Sequence, residues 1–183
     1  ITAQGVVFDG QEYPVDCIIF ATGFEIGTDY SRRAECVITG KEGSTLGEKW
    51  AKGVRTLHGF QTNGFPNLFF MGLIQGGLTA NNTHMLTEQS EHIAYLINRA
   101  KNGNYRSLEV SGEAEDDWVG VMEETALANE DFLAACTPGY YNDEGKKEIN
   151  GVFGLQYGGG PDEFFRLLEA WRKDGRCEGV AYS

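Results

Sequence analysis

Cysteine is sparse and unpaired in this chain. Cys17, Cys36, Cys136 and Cys177 are scattered over 183 residues with no CxxC spacing, which indicates neither a zinc site nor a disulfide scaffold. A reducing, cytoplasmic setting is the expectation. Positive charge is scarce as well. Fifteen Lys and Arg against 27 Asp and Glu give a formal charge of −12, which argues against nucleic acid and anionic membrane surfaces as partners. No apolar run approaches the roughly 20 residues needed to span a bilayer, and the N-terminus has no signal-peptide pattern. Nucleotide loops are missing too. Thr39–Thr45 (TGKEGST) lacks the GxxxxGK[ST] order and reads as a surface turn, and Gly158-Gly159-Gly160 lacks GxGxxG spacing. With no nucleophile, triad or metal-ligand set visible, no residue is assigned a catalytic or metal-binding role. The chain opens on Ile1, inside a strand-like segment, and so reads as a piece of a longer protein.

What is present is a core-forming composition, 41% hydrophobic and 12% aromatic. Gly5–Phe8, the turn Asp9-Gly10 and Glu12–Tyr13 predict a β-hairpin, because Asp-Gly between β-formers favours a two-residue turn. Val15–Ala21 is almost continuously apolar, the pattern of a strand covered on both faces in a parallel sheet. It ends at Thr22-Gly23-Phe24, and a glycine at a strand's carboxyl end either lets a ligand approach the backbone or simply ends the strand. Cys36–Thr39 is a candidate short strand. His58 has no acidic or cysteine neighbour in sequence and reads as a packed or solvated imidazole.

Pro66–Ala100 organises the rest. Leu68–Met71 has the length of a buried strand, Gly72, Gly76 and Gly77 break it, and Asn81 or Asn82 can cap a helix running to about Ala100. Its apolar face is Met85, 92/93, 96/97 and Ala100. A glycine loop leading into a helix start is where a polar cofactor group can meet unpaired N–H groups, or else it is an ordinary connection. A second helix is predicted from about Glu113 to Cys136. Ser111 or Gly112 would cap it, Glu113–Asp117 would form a solvated acidic first turn, and Trp118, Met122 and Ala126 would form the stripe. Pro138–Gly145 is a loop suited to lining or covering a site, and Val152–Tyr157 is strand-like. A third helix begins with Pro161 and stops at Gly175, with Phe164, Leu168 and Trp171 facing the core.

Taken together, VDCIIFATGF (15–24), GFPNLFFMG (64–72), the Asn-Thr helix start, and the tail CTPGYYN (136–142), YGGGP (157–161) and Phe164-Phe165…Trp171-Arg172 resemble the C-terminal third of a class B flavoprotein monooxygenase of the Baeyer–Villiger group. The resemblance implies an α/β fold: an incomplete FAD/NADP-binding, Rossmann-like sheet over residues 1–104, and a mainly helical C-terminal extension over 105–183 that caps the substrate site. It implies FAD and NADPH as cofactors of the full-length protein, O2 and a small-molecule ketone as substrates, and oxygen insertion through a C4a-peroxyflavin. Thr79, Ala80, Asn81, Asn82 and Thr83 would face the flavin or the substrate. Thr22, Gly23 and Phe24 would form a cofactor-contacting turn. Tyr140, Tyr141 and Asn142 would form a lid, with tyrosine where the family usually has tryptophan. The family's two GxGxxG loops and its peroxyflavin-holding arginine do not occur in these residues. The chain alone is therefore expected to be inactive and to bind FAD weakly or not at all. A truncated sheet leaves open edges, so self-association as a homo-oligomer is expected. Two alternatives stay open: a non-catalytic binding or interaction module derived from such an enzyme, and a flavin-dependent N- or S-oxygenase.

Overall fold

The computed structural model describes residues 1–21, 34–125 and 156–183. The expected hairpin is present. Strand β1 (Gly5–Phe8) pairs antiparallel with β2 (Gln11–Pro14), with Phe8 opposite Gln11. Asp9 and Gly10 both have positive φ (48° and 76°), the backbone a two-residue primed turn requires.

Among the described residues, the two apolar segments expected to be strands form no ladder. Residues 15–21 carry no regular secondary structure and are exposed, with Ile19 84% and Phe20 75% accessible, and no described segment lies beside them as a partner strand. A strand is stabilised by its neighbours, so without them the apolar pattern alone does not produce one. Leu68–Met71 likewise lies outside any sheet. It bonds to the adjacent loop through the Phe70 N–H and the Phe60 carbonyl (2.8 Å), and only Phe70 of the four is buried. Cys36–Thr39 contributes a single bridge, Thr39 to Thr45. The Thr39–Thr45 turn then leads into a short helix, α1 (Leu46–Lys49), whose N-cap Thr45 and Glu48 form a capping box.

Helix α2 (Asn82–Asn102) is the longest element. Its buried stripe is Met85, Gln89, His92, Leu96 and Ala100, so two polar side chains share the inward face with the apolar ones, while Ile97 points outward. Helix α3 (Gly112–Thr125) starts at Ser111, whose Oγ accepts from the Ala114 N–H (3.2 Å), and it buries Trp118 and Met122. Ala126, the rest of the predicted second helix, and the 138–145 loop lie outside the described residues. Helix α4 (Pro161–Asp174) follows its prediction: Pro161 at the start, Asp162 and Glu163 in the first turn, Arg172 and Lys173 in the last, and Gly175 left-handed at φ 72°. Trp171 is half-buried, and Phe165 joins Phe164 and Leu168 in the core.

A second antiparallel pair went unpredicted. Strands β3 (Leu108–Val110) and β4 (Val180–Tyr182) bring the chain's end back beside the α2–α3 connection. The main core joins Leu57 and Phe60 to Met85, Trp118, Met122, Phe164 and Leu168, and a smaller one holds Leu46, Trp50, Phe65, Phe70 and Ile74. Among the described residues no helix is long and apolar enough to cross a membrane.

The acidic first turn of α3 departs from expectation. Glu115 is only 2% exposed. Its carboxylate accepts from Lys49 Nζ (2.8 Å), Thr62 Oγ1 (2.7 Å) and the Asn63 N–H (2.8 Å), while Arg55 lies 3.8 Å away. Burial of this anion is compensated by donors from two other segments, and so it ties α1 and the 55–63 loop to α3. Replacing Glu115 with Ala leaves Thr62 and Asn63 without their acceptor and should cost about 3 kcal/mol, with Glu115→Gln costing less. Urea unfolding checks this, and a loss under about 1 kcal/mol would show that the carboxylate is a passive neighbour.

His58 is packed, as expected. It meets Trp118 edge-on (4.7 Å between centroids) and lies 6.1 Å from His92, which stacks on Phe60 at 4.7 Å. Burial lowers the His58 pKa to about 4. His92 is lowered to about 3, first by burial and then by the nearby His58 and Arg172 charges. An unfolded chain takes up these protons below about 6.5 whereas the folded chain stays neutral, so stability is full above pH 6.5 and falls as the pH drops toward 4. Unfolding free energies measured from pH 7.5 to 5 should therefore decline, and His92→Phe should flatten the slope. A wild-type profile already flat between pH 6.5 and 5 would contradict the neutral pair.

Candidate functional site

The site is the turn that carries the chain from Gly72 into α2. Inside the molecule this turn is held by side chains. Gln89 on α2 pairs with Gly72 like a strand: its Oε1 accepts from the Gly72 N–H (2.9 Å) and its Nε2 donates to the Gly72 carbonyl (2.7 Å). Gln75 is 3% exposed and accepts from Thr56 Oγ1 (2.6 Å) while donating to the Val54 carbonyl (2.8 Å). Trp118 Nε1 donates to the Gln75 carbonyl (3.2 Å), Gln156 Nε2 to the Leu73 carbonyl (2.7 Å), and the Tyr157 N–H to the Gly76 carbonyl (3.1 Å). At Gly77 a Cβ would come within 2.9 Å of Phe164 Cβ and of Pro161 Cα, so glycine is what allows the turn to rest on the start of α4.

Outward, the turn is open. Thr79 is half-buried, and Ala80, Asn81, Asn82 and Thr83 are exposed. Asn81 is the N-cap: its Oδ1 accepts from the His84 N–H (3.1 Å), and Thr79 Oγ1 accepts from the Asn81 N–H (3.2 Å). His84 then rests edge-on against Phe165 (5.1 Å). The Asn82 and Thr83 N–H groups have no carbonyl four residues back inside the helix and are directed past the cap, at the positive end of a 21-residue helix. The first turn of α2 contains no acidic residue, whereas that of α4 carries Asp162 and Glu163. Of the two helix starts, only that of α2 suits an electron-rich group. Two surface hollows among the described residues lie elsewhere, beside Ile38–Lys41 and Phe65 and beside Tyr95, Arg99 and Tyr105.

Of the residues singled out in sequence, the structure brings Thr79, Ala80, Asn81, Asn82 and Thr83 together on this one exposed turn. Thr22, Gly23, Phe24, Tyr140, Tyr141 and Asn142 lie outside the described residues. Sequence reasoning missed Gln75, Gln89 and Thr56. Gln89 had a signal: it lies four residues after Met85 and three before His92, a polar residue on the buried stripe. Gln75 and Thr56 had none beyond their place in glycine-rich loops. Among the described residues no cluster of three or more His, Cys, Asp or Glu could hold a metal ion.

No family model matches the chain. It is 42% identical over 182 residues to pentalenolactone D synthase of Streptomyces exfoliatus, covering 98% of this chain and 31% of that protein. It is 38% identical to a Baeyer–Villiger monooxygenase of Dietzia sp. (100% and 30%) and 37% identical to an FAD-binding monooxygenase of Hypomyces subiculosus (98% and 30%). Among solved structures it superimposes on a polycyclic ketone monooxygenase of Thermothelomyces thermophila with a TM-score of 0.75 and 32% identity, covering 98% of this chain and 30% of that one. On an oxidized steroid monooxygenase bound to NADP the TM-score is 0.73 at 26% identity, with 98% and 32% covered. The class is thus that of the flavoprotein monooxygenases. Within it the chain is similar to the Baeyer–Villiger monooxygenase group, and it spans about a third of the length of the relatives it matches.

If Asn81 sets the opening of α2, Asn81→Ala should cost about 1 kcal/mol and Asn81→Asp almost nothing. Thermal unfolding of the two variants side by side checks this, and equal losses would mean that the side-chain cap contributes little.

Proposed function

We propose that this chain is the C-terminal portion of an FAD- and NADPH-dependent Baeyer–Villiger monooxygenase and that the start of α2 lies against the flavin ring. One observation carries the reading: an exposed, acid-free helix start whose preceding loop is clamped from inside by Gln75, Gln89 and Trp118. A flavin, when bound, supplies the reduction of O2 and the transfer of one oxygen atom to a ketone. The protein's part is position and charge. The Asn82 and Thr83 amides would face the pyrimidine edge, where reduction places negative charge, and each such interaction is worth ~0.3–1 kcal/mol, more when buried. Because the amides are held before the charge appears, they need not reorganise as it forms.

In this reading residues 1–104 complete the cofactor domains and residues 105–183 cap the substrate site. Thr22, Gly23 and Phe24 form a second cofactor contact, and Tyr140, Tyr141 and Asn142 a lid. The substrate is a ketone, as the name of the polycyclic ketone monooxygenase states for that protein. The described residues offer only one wall, so the chain alone does not turn over and holds FAD weakly if at all. Its exposed apolar segment from Val15 to Phe20 favours self-association in isolation.

The test is to express the full-length polypeptide and this chain separately and to follow NADPH oxidation with a panel of ketones and sulfides. The full-length protein should be yellow and oxidise NADPH in step with ketone consumption, while the isolated chain should be colourless. Flavin retained by the isolated chain at equal occupancy, or NADPH oxidation indifferent to ketone, would refute the reading.

A further inference from the structure

We propose that Gln75 is a positioning residue for the flavin-facing turn: it holds Gly76–Asn81 at the depth from which the amides opening α2 meet the ring. The proposal rests on the flavin-facing role of Thr79–Thr83. Gln75 has φ 38°, a left-handed backbone that a non-glycine residue adopts at some cost, so the surroundings must enforce it. They do so from three directions. The carboxamide oxygen accepts a hydrogen bond from the Thr56 hydroxyl, the carboxamide nitrogen donates to the Val54 carbonyl, and the Trp118 indole of α3 donates to the residue's own carbonyl. Thr56 is itself fixed, fully buried and accepting from the Gly59 N–H (3.1 Å).

The side chain points into the protein, so Gln75 acts on a ligand only through the backbone that follows it. That backbone has little freedom of its own. The Gly76 carbonyl is bound by Tyr157 and Gly77 rests on Pro161 and Phe164, so these contacts and the Gln75 bonds together set the course of the backbone that leads to Thr79 and Asn81. The position also demands glutamine. It needs a donor and an acceptor at this reach: asparagine is one methylene short, glutamate sets a carboxylate against the Val54 carbonyl, and methionine fills the space while leaving Thr56 and Val54 unpaired.

Two measurements test this. In the 183-residue chain, Gln75→Met should speed amide exchange at Asn81, His84 and Tyr157 by about tenfold while Leu96 and Leu168 keep their protection. Thr56→Val should reproduce the pattern and Thr56→Ser should restore wild-type rates. Unchanged exchange at the three amides, or an equal rise at every amide in the chain, would overturn the brace. In the full-length holoenzyme, Gln75→Met should move the flavin reduction potential to more negative values and lower kcat about tenfold, with KM for NADPH unchanged. A wild-type potential in that variant overturns the positioning role even if the brace exists. A wild-type full-length protein lacking flavin overturns the cofactor reading, and the exchange data then decide the brace by themselves.

Discussion

The structure depends on side-chain amides and indoles that satisfy backbone groups where no sheet does so. Backbone N–H and C=O groups buried without partners are costly, and irregular chain inside a protein must find partners for them. Gln89 and Gln156 bind Gly72 and Leu73, and Gln75 reaches out of the same segment to the Val54 carbonyl. Asn67 pairs with Leu108 in both directions (3.0 Å each), through its own N–H and its Oδ1, while Asn63 donates to the Val110 carbonyl (2.8 Å). Trp50 and Trp118 each spend their indole N–H on a backbone carbonyl. Among the described residues the 54–77 region has no ladder beyond the single Leu57–Gln61 bridge, and side chains such as Asn63, Asn67 and Gln75 bond backbone groups from it instead.

This arrangement explains how one exposed turn can be held in a fixed place. The start of α2 is set by its cap at Asn81 and by the loop behind it, and the loop is set by α3 through Trp118 and by α4 through Gly77. Glu115 fixes α3 in turn against α1 and the 55–63 loop. A chain of contacts thus runs from the acidic start of α3 to the amides of Asn82 and Thr83. The buried histidines lie within the same core, where Phe60, Trp118 and Trp171 surround them.

The two long helices α2 and α4 and the start of α3 were legible in the sequence because their signals are local, whereas the short α1 was not read. Asn81, Pro161 and Gly175 mark ends, and the 3.6-residue stripes mark faces. The hairpin was legible through Asp9-Gly10 for the same reason. Val15–Ala21 and Leu68–Met71 misled because an apolar run states only that burial is wanted, and strand formation depends on neighbours that the run does not encode. β3 and β4 were missed since three-residue strands paired across 70 to 74 positions leave almost no periodic trace. The five turn residues were singled out through resemblance and the capping pattern. Gln75 and Thr56 stayed hidden, because a polar residue in a loop looks the same in sequence whether it faces solvent or a buried carbonyl.

One outcome of this construction concerns tolerance to substitution. A sheet draws its hydrogen bonds from the peptide unit, which every residue but proline supplies, so identity can drift while pairing persists. In the 54–77 region the same task falls to carboxamides and indoles, which only Asn, Gln and Trp provide at the right length. Positions that look like ordinary connecting loop should therefore be among the least replaceable in the molecule, and the regular helix exteriors among the most forgiving.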